Sequence, residues 1–192
     1  MEYSTFEHIE KHIGTITRGW PSNAIDGFSV CLVERSPEVS VNTYVTLGVS
    51  NHVLNQPSRR SIRQEYLLVA DISFPAGPLV DLLGTIATLA IGRHEAIVRG
   101  QVIHARATLA QVCSKVSLYA TSATLFSNDA TTIATSPPTV FTWLIPITLA
   151  EEKFRQTRGW SAFEDLLEQA EPDLFDLNRA STILPDGPGL NS

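Results

Sequence analysis

Two histidines near the N-terminus stand four residues apart, a spacing that places metal ligands on one face of a helix. His8 and His12 follow Ser4 and Glu7, which have the spacing of a helix capping box. The metalloprotease pattern needs a glutamate directly after the first histidine, and Ile9 stands there instead. Because no third ligand is apparent nearby, the pattern favours a solvated helix face over a metal site.

A serine and a histidine lie close together in Gly48-Val-Ser50-Asn-His52, which resembles a nucleophile elbow with its last glycine replaced. A nucleophile elbow joins a strand to a helix, and the residues after His52 do not begin a helix. The pattern therefore favours the end of a strand. A hydrolase that uses Ser50 and His52 is kept as an alternative.

Adjacent carboxylates at Glu151 and Glu152 could in principle serve acid–base catalysis. Neighbours on a helix point in different directions, however, and Glu151 is expected to cap a helix by accepting the amide of Thr148. An acid–base pair is therefore not favoured. The glycines match neither the dinucleotide-binding nor the P-loop spacing, so the sequence predicts no cofactor.

The whole chain has a net charge of −6, and its acidic residues are concentrated in the last part. Glu151 to Asp186 holds nine acidic residues, whereas Lys153 to Arg179 supplies four basic ones. The lack of clustered cations argues against a nucleic-acid partner, and the acidic surface suits a basic protein. The candidate contact residues in this region are Glu152, Asp173 and Asp176.

The polar stretch Asn51–Ser61 is a predicted loop that is more basic than the sequence around it. A solvated loop is the simpler interpretation, but loops on a rigid scaffold also carry recognition. The candidate contact residues in and beside this stretch are Asn51, His52, Arg59, Arg60 and Arg63.

A junction between a strand and a helix at Thr139–Phe154 organises the rest of the chain. Val140 to Ile147 is β-branched and aromatic and is apolar on both faces, which is typical of a strand in the middle of a sheet. Thr148 and Glu151 form a capping box that begins a helix. The sequence therefore predicts a buried strand followed at once by a helix that packs back on the same sheet.

Periodicity predicts other strands and helices around this junction, and Gly19–Gly27 is predicted to be a loop. The other strands are expected over 28–34, 43–50, 63–72, 101–105 and 116–126. Helices are expected up to about Thr15, over Leu79–Gly92, from Thr148 to Gly159, and from Ser161 to just before Pro172. Strands outnumber helices without regular alternation, which indicates an α+β fold.

The 192 residues fit one domain, expected over residues 1–183, with a flexible C-terminal tail over 184–192. Two cysteines, Cys31 and Cys113, are too few for a disulfide framework and are expected to be buried thiols.

No uncharged apolar run has the ~18–20 residues that a membrane helix needs, because Asp81 interrupts the apolar stretch Leu79–Ile91. The first ten residues lack the pattern of a secretory signal. We therefore expect a cytoplasmic location and no membrane partner.

An ordered set of motifs resembles the Suppressor of fused domain family. The family pattern has a tyr-x-thr-leu-gly-x-ser strand, a glu-leu strand, a pro-ile-thr-x-ala-glu junction and a final arginine after a short acidic segment. The matching segments, all within about residues 42–181, are Tyr44–Ser50, Gln64–Leu68, Leu79–Leu89, Phe141–Glu151, Gly159 and Asp176–Arg179.

The resemblance implies an α+β domain with a mixed, mostly antiparallel sheet, packed helices and no established catalytic centre. Animal members bind Gli-type transcription factors by clamping a short peptide that adds as a strand. Small bacterial members, which this chain resembles more closely, are thought to act largely as immunity proteins against polymorphic toxins.

The residues and the resemblance together predict a non-enzymatic protein-binding module, first of all an immunity protein that binds a cognate toxin. A regulatory adaptor that sequesters another cellular protein is the alternative, and an unrecognised hydrolase is a second one. Two binding modes are open: strand addition at an exposed sheet edge, and docking of a basic partner on the acidic surface.

Overall fold

The computed structural model describes residues 4–22 and 27–183, so the predicted flexible tail and residues 23–26 of the predicted loop lie outside the described residues. The strands are β1 (Ile16–Pro21), β2 (Ser29–Val33), β3 (Val41–Leu47), β4 (Leu54–Asn55), β5 (Ser61–Asp71), β6 (Val102–His104), β7 (Ser117–Ser122), β8 (Thr132–Ile133) and β9 (Thr139–Ile147). The α-helices are α1 (Thr5–His12), α2 (Ala76–Arg93), α3 (Arg106–Leu109), α4 (Leu149–Arg158) and α5 (Trp160–Ala170).

These strands form one sheet with the order β1-β2-β3-β5-β9-β7-β6, while β4 pairs with β5 and β8 pairs with β9. The pair β5 and β9 is parallel, and the other pairs are antiparallel. The expected α+β fold with a mixed, mostly antiparallel sheet is thus confirmed. The strand predicted to lie in the middle of the sheet is β9, which has β5 on one side and β7 on the other.

Helices cover both faces of the sheet, because its central strands are apolar on both sides. On one face, Tyr66 and Leu68 of β5 belong to a core that includes Leu79, Leu82 and Leu83 of α2. On the other face, α1 and α5 contribute Ile9 and Phe163 to a core with Leu67 and Phe141. Each fully buried leucine contributes about 1.5–3 kcal/mol relative to an exposed one.

The N-terminal helix is shorter than the sequence predicts. Its capping box is confirmed, since Ser4 accepts the amide of Glu7 and the Glu7 carboxylate accepts the amide of Ser4. The helix ends at His12 instead of about Thr15, and Gly14 follows with a φ of 139° that only glycine adopts readily.

The predicted loop over Gly19–Gly27 is wrong at its start, because β1 continues through Gly19 to Pro21 and pairs with β2. Glycine and proline suggest a turn in a sequence, but an edge strand tolerates both, since its outward amides need no partner in the sheet.

By length and composition, α2 could cross a membrane, and no other helix in the described ranges meets that test. In this fold α2 packs on the sheet, and seven of its residues, from Leu79 to Ile91, are buried. The core helix of a globular protein also satisfies a length and composition test.

Gly100 lies directly beneath Trp160, and alanine there should destabilise the fold by roughly 2 kcal/mol. Gly100 has a φ of 86°, and an added Cβ would lie 2.8 Å from the Cβ of Trp160. The same variant should shift the tryptophan emission, because Trp160 must move. Urea denaturation and fluorescence give the two readouts.

Gly84 provides the matched control for Gly100. It lies inside α2, and an added Cβ would have no atom within 4 Å, so Gly84→Ala should stabilise the protein by about 0.5–1 kcal/mol. Equal effects of the two substitutions would contradict the tight packing of Gly100 against Trp160.

Candidate functional site

A fully buried carboxylate, Glu65, lies in the centre of β5 and is occupied by structural hydrogen bonds. It accepts the hydroxyl of Thr46 and the backbone amides of Gly48 and Ser50, the amides at 2.9 and 3.0 Å. Burial raises the pKa of Glu65, and these hydrogen bonds oppose the rise. Glu65 therefore fastens the turn Val49–Asn51 to β5 instead of facing a substrate.

Ser50 is placed in that turn and is buried. Its Oγ lies 3.2 Å from the Oγ1 of Thr5, and its carbonyl accepts a hydrogen bond from Arg63. The turn ends at Asn51, and His52 is extended, so no helix follows the serine. This backbone is not that of a nucleophile elbow. The strand predicted over 43–50 ends at Leu47, and Ser50 lies in the 3-10 turn that follows it.

A second buried carboxylate, Glu151, forms an ion pair with Arg179. The Nη1 of Arg179 donates to Oε1 at 2.6 Å and Nη2 donates to Oε2 at 3.2 Å, and both side chains are at most 5% exposed. Burial acts to raise the pKa of Glu151, but hydrogen bonds from Arg179 and Thr182 outweigh it and lower the pKa to about 2. The pair fastens the end of the described chain to α4.

Lys115 completes this buried cluster, since its ammonium donates to the carbonyl of Arg179. Burial lowers the pKa of Lys115, and the nearby charge of Arg179 lowers it further.

The predicted capping box at Thr148 is confirmed. Glu151 therefore binds both the start of α4 and Arg179.

His104, Ser117 and Glu152 lie together in an arrangement that resembles a catalytic triad. The hydroxyl of Ser117 donates to Glu152 at 2.6 Å and lies 3.3 Å from the Nδ1 of His104, which is 3.5 Å from the same carboxylate. Ser117 is fully buried, and its hydroxyl is engaged in the hydrogen bond to the Glu152 carboxylate. A nucleophile needs access to substrate, and its burial denies Ser117 that access.

The predicted solvated face at His8 is wrong. His8 is buried, its ring stacks on Phe141 at 4.9 Å, and its Nε2 lies 3.2 Å from the carbonyl of Ala130. Burial lowers the pKa of His8. Ranges 4–22 and 27–183 hold no group of three His, Cys, Asp or Glu side chains that could bind a metal.

The candidate contact residues from the basic stretch lie around the start of β5. Arg59 and Arg60 are exposed in the turn between β4 and β5, and Arg63 is half-buried within β5. Asn51 is exposed and His52 half-buried at the turn that Arg63 contacts. Part of the predicted loop is the strand β4, which the polar composition concealed.

The acidic candidates lie near the other end of β5. Asp173 and Asp176 belong to the segment after α5, where Asp173 accepts the amide of Phe175 and Asp176 accepts that of Asn178. Asp173 lines a cavity with Asp71, which ends β5 about 26 Å from Arg63 at ~3.3 Å per residue. Because Asp173 and Arg63 lie near opposite ends of β5, the basic and acidic candidates do not form one site. Glu152 is buried.

A free sheet edge and a groove beside it are the candidate docking site, which we define by β6 and the end of α2. The amide of Ala105 donates to the carbonyl of Val116, and the amide of Ala120 donates to the carbonyl of Gln101. In this antiparallel pair, therefore, only every second residue of β6 directs its backbone amide and carbonyl towards β7. The amides of Val102 and His104 consequently point to the open edge. A cavity of about 330 Å³ lies between this edge and α2. Apolar residues such as Ile86, Leu89 and Ile103 line part of it, and the rest is polar, with Arg93, Glu95, Gln101 and His104.

The sequence did not reveal this site, although it predicted a strand over 101–105. Edge position depends on which strands pair, and periodicity does not specify that order. Leu89, an apolar residue of α2, is 46% exposed beside the edge. An exposed leucine of this kind is the local feature that indicates a docking surface here.

A family model and a curated protein each match most of the chain. The family model for Suppressor of fused protein matches residues 21–180. The immunity protein YqcF of Bacillus subtilis (strain 168) is 24% identical over 172 residues, which is 88% of this chain and 88% of YqcF.

Two solved structures share the fold. A Suppressor of fused homologue from Neisseria gonorrhoeae FA 1090 superposes with a TM-score of 0.73 at 21% identity, covering 93% of this chain and 94% of its own. A chain of the Sufu–Fu complex superposes with a TM-score of 0.56 at 15% identity, covering 82% of this chain and 77% of its own.

Proposed function

Because the chain belongs to the Suppressor of fused protein family, we propose that it is a non-enzymatic module that binds another protein, and that its partner is a toxin which it neutralises. The observation that carries this proposal is the near full-length similarity, in both directions, to a protein named an immunity protein. This function implies that the partner is a polymorphic toxin, which the chain would neutralise by binding it directly.

The chemistry of the described residues supports binding over catalysis. Glu65, Glu151 and Ser117, which could have served as base or nucleophile, are buried and spend their hydrogen bonds on structure. The β6 edge offers outward backbone groups beside a groove that is apolar in part, and strand addition uses such groups and such pockets.

Co-expression with the protein encoded beside this chain's gene tests the proposal. We expect that protein to stop growth when expressed alone, and growth to return when this chain is expressed with it. The two should also copurify as a stable complex. A neighbouring protein that neither stops growth nor binds this chain would refute the immunity function.

Replacing both Ser50 and His52 with alanine separates binding from hydrolysis. Protection by this double variant should equal that of the wild type, provided that its folding is confirmed by circular dichroism. Loss of protection with retained folding and retained toxin binding would instead favour the hydrolase alternative.

Proline at Val102 should weaken partner binding at least tenfold if the partner adds as a strand. Val102 is the first residue of β6 and its amide points outward, so proline removes an outward donor and keeps the bonds to β7. Binding is measured by calorimetry. Ile103→Pro is the comparison, since it removes a bond to β7 and should lower the unfolding temperature. Unchanged binding by a folded Val102→Pro variant would exclude strand addition at β6.

The structural similarity to a chain of the Sufu–Fu complex supports one further candidate function, a regulatory adaptor that holds another cellular protein. Purification from the native cell distinguishes the two functions. An adaptor should recover a partner that is harmless when expressed alone, whereas an immunity protein should recover a toxin.

A further inference from the structure

A second groove lies on the sheet face opposite α2, between α5 and the segment that follows it. Two cavities form it, of about 470 and about 310 Å³, and Trp143 and Leu174 line both of them. We call this surface the α5 groove. It shares no lining residue with the cavity beside the β6 edge, and it faces a different side of the molecule.

Apolar side chains form the floor of the α5 groove. Trp143 and Ile145 of β9 are buried below it, Leu174 is half-buried, and Trp160 is 44% exposed at its side. Exposed tryptophan beside a concave apolar surface is characteristic of protein contacts, because its large ring buries much area at little cost in conformational entropy.

The rim of the α5 groove is acidic. Asp165 and Glu168 are exposed on α5 and line the larger cavity. Glu38, Asp71 and Asp173 line the smaller one, and of these Glu38 and Asp173 are exposed. Five carboxylates from three separate parts of the chain thus surround one groove with an apolar floor.

The cation of the groove is already neutralised. Arg99, the one Lys or Arg among the described residues that line it, donates to both carboxylate oxygens of Glu164 and lies over the Trp160 ring at 5.0 Å. Glu164 also accepts hydrogen bonds from Tyr119 and Thr121. Burial opposes ionisation of Glu164, but these hydrogen bonds, first that of Arg99, lower its pKa. The five rim carboxylates are left without a counterion from the lining.

We propose that the α5 groove binds a segment of the partner protein that carries Lys or Arg on both sides of an apolar or aromatic anchor. The anchor would cover Trp143 and Leu174, and the cations would face the rim carboxylates. Complementary charge selects the partner and speeds association, while the buried anchor sets the lifetime of the complex. The identification of the ligand as part of a protein rests on the proposed function.

Short synthetic peptides test the groove without a known partner. The probe is a peptide of lysine and glycine with one central tryptophan, titrated into ¹⁵N-labelled protein and followed by NMR. Shifts should concentrate at Trp160 and Leu174 and weaken as salt is added. Peptides with glutamate for lysine, or serine for tryptophan, should bind at least tenfold more weakly.

Charge reversal on the rim provides the matched variants. Asp165→Lys with Glu168→Lys should weaken the lysine peptide about tenfold. Asp81→Lys with Asp129→Lys, at exposed positions outside the groove, changes the net charge equally and should weaken binding less than about threefold, as expected for distant screened charges. Equal effects of the two pairs, shifts spread over the surface, or tight binding of the glutamate or serine peptide would overturn the inference.

Failure of this inference is distinguishable from failure of the proposed function. Groove binding of the lysine peptide without any toxin beside the gene would remove the immunity function and keep the groove. A neutralised toxin that binds the rim-reversed variant as tightly as the wild type would keep the function and overturn the groove.

Discussion

Replacing Arg179 with alanine is expected to lower the free energy of unfolding by about 3–5 kcal/mol. The substitution leaves Glu151 buried with its charge uncompensated, because the carboxylate is fully inaccessible to solvent. For a domain of this size such a loss lowers the unfolding temperature by roughly 10 °C. Urea denaturation at neutral pH measures the change.

Arg158→Ala is the control for charge alone. Arg158 is exposed at the end of α4, and its removal should change the free energy of unfolding by less than about 0.5 kcal/mol. Combining Glu151→Gln with Arg179→Met should cost less than the sum of the single variants, since each single variant leaves one buried group unpaired. Additive losses would contradict the pairing.

The same pair makes stability depend on acid. The pKa of Glu151 lies at about 2 in the folded chain, against an ordinary value of 4.5. Its contribution is therefore fully present above about pH 4.5 and is lost as the pH falls towards 2. Glu151→Gln should be much less stable than the wild type at pH 6, and the difference should shrink towards pH 2.

Replacing Glu65 with alanine is the second large expected effect, a loss of roughly 3 kcal/mol or more. The Thr46 hydroxyl and the amides of Gly48 and Ser50 would all lose their acceptor inside the protein. Glu65→Gln keeps an acceptor for both amides and should lose much less. Glu34→Ala, at an exposed position, should be nearly neutral.

Glu65 should also show a pH dependence of opposite sign to that of Glu151. Burial raises the pKa of Glu65, so the folded chain binds this proton more tightly than the unfolded chain. Stability from this group therefore falls as the pH rises above 4.5 and through the folded pKa. Relative to the wild type, Glu65→Gln should gain stability over that window, and a constant difference would contradict the raised pKa.

Local signals in the sequence predicted much of the fold. Both capping boxes and the central strand were correct, because the side chains that specify them lie within a few residues of one another. The edge strand β1 was missed, since Gly19 and Pro21 indicate a turn and only the pairing with β2 makes them part of a strand.

The candidate sites were less accessible to sequence reasoning. The contact between Glu151 and Arg179 joins two motifs that the family resemblance had identified separately. Neither motif alone indicates with which residue its charged side chain pairs. The α5 groove brings Asp71 and Asp173 to one cavity through the order of the strands, which hydrophobic periodicity does not determine. The acidic composition predicted the sign of the surface, and the fold determines where that charge converges.

The parallel pairing of β5 and β9 also constrains when the chain can close during its synthesis. Arg63 leaves the ribosome long before Thr139, the residue opposite it in the register. Until then, the edge of β5 that pairs with β9 has no neighbour, and the partly made chain can bind chaperones or misassemble. The sheet is therefore complete only when nearly the whole chain has been synthesised. Fragments released before β9 is made lack the central strand of the sheet.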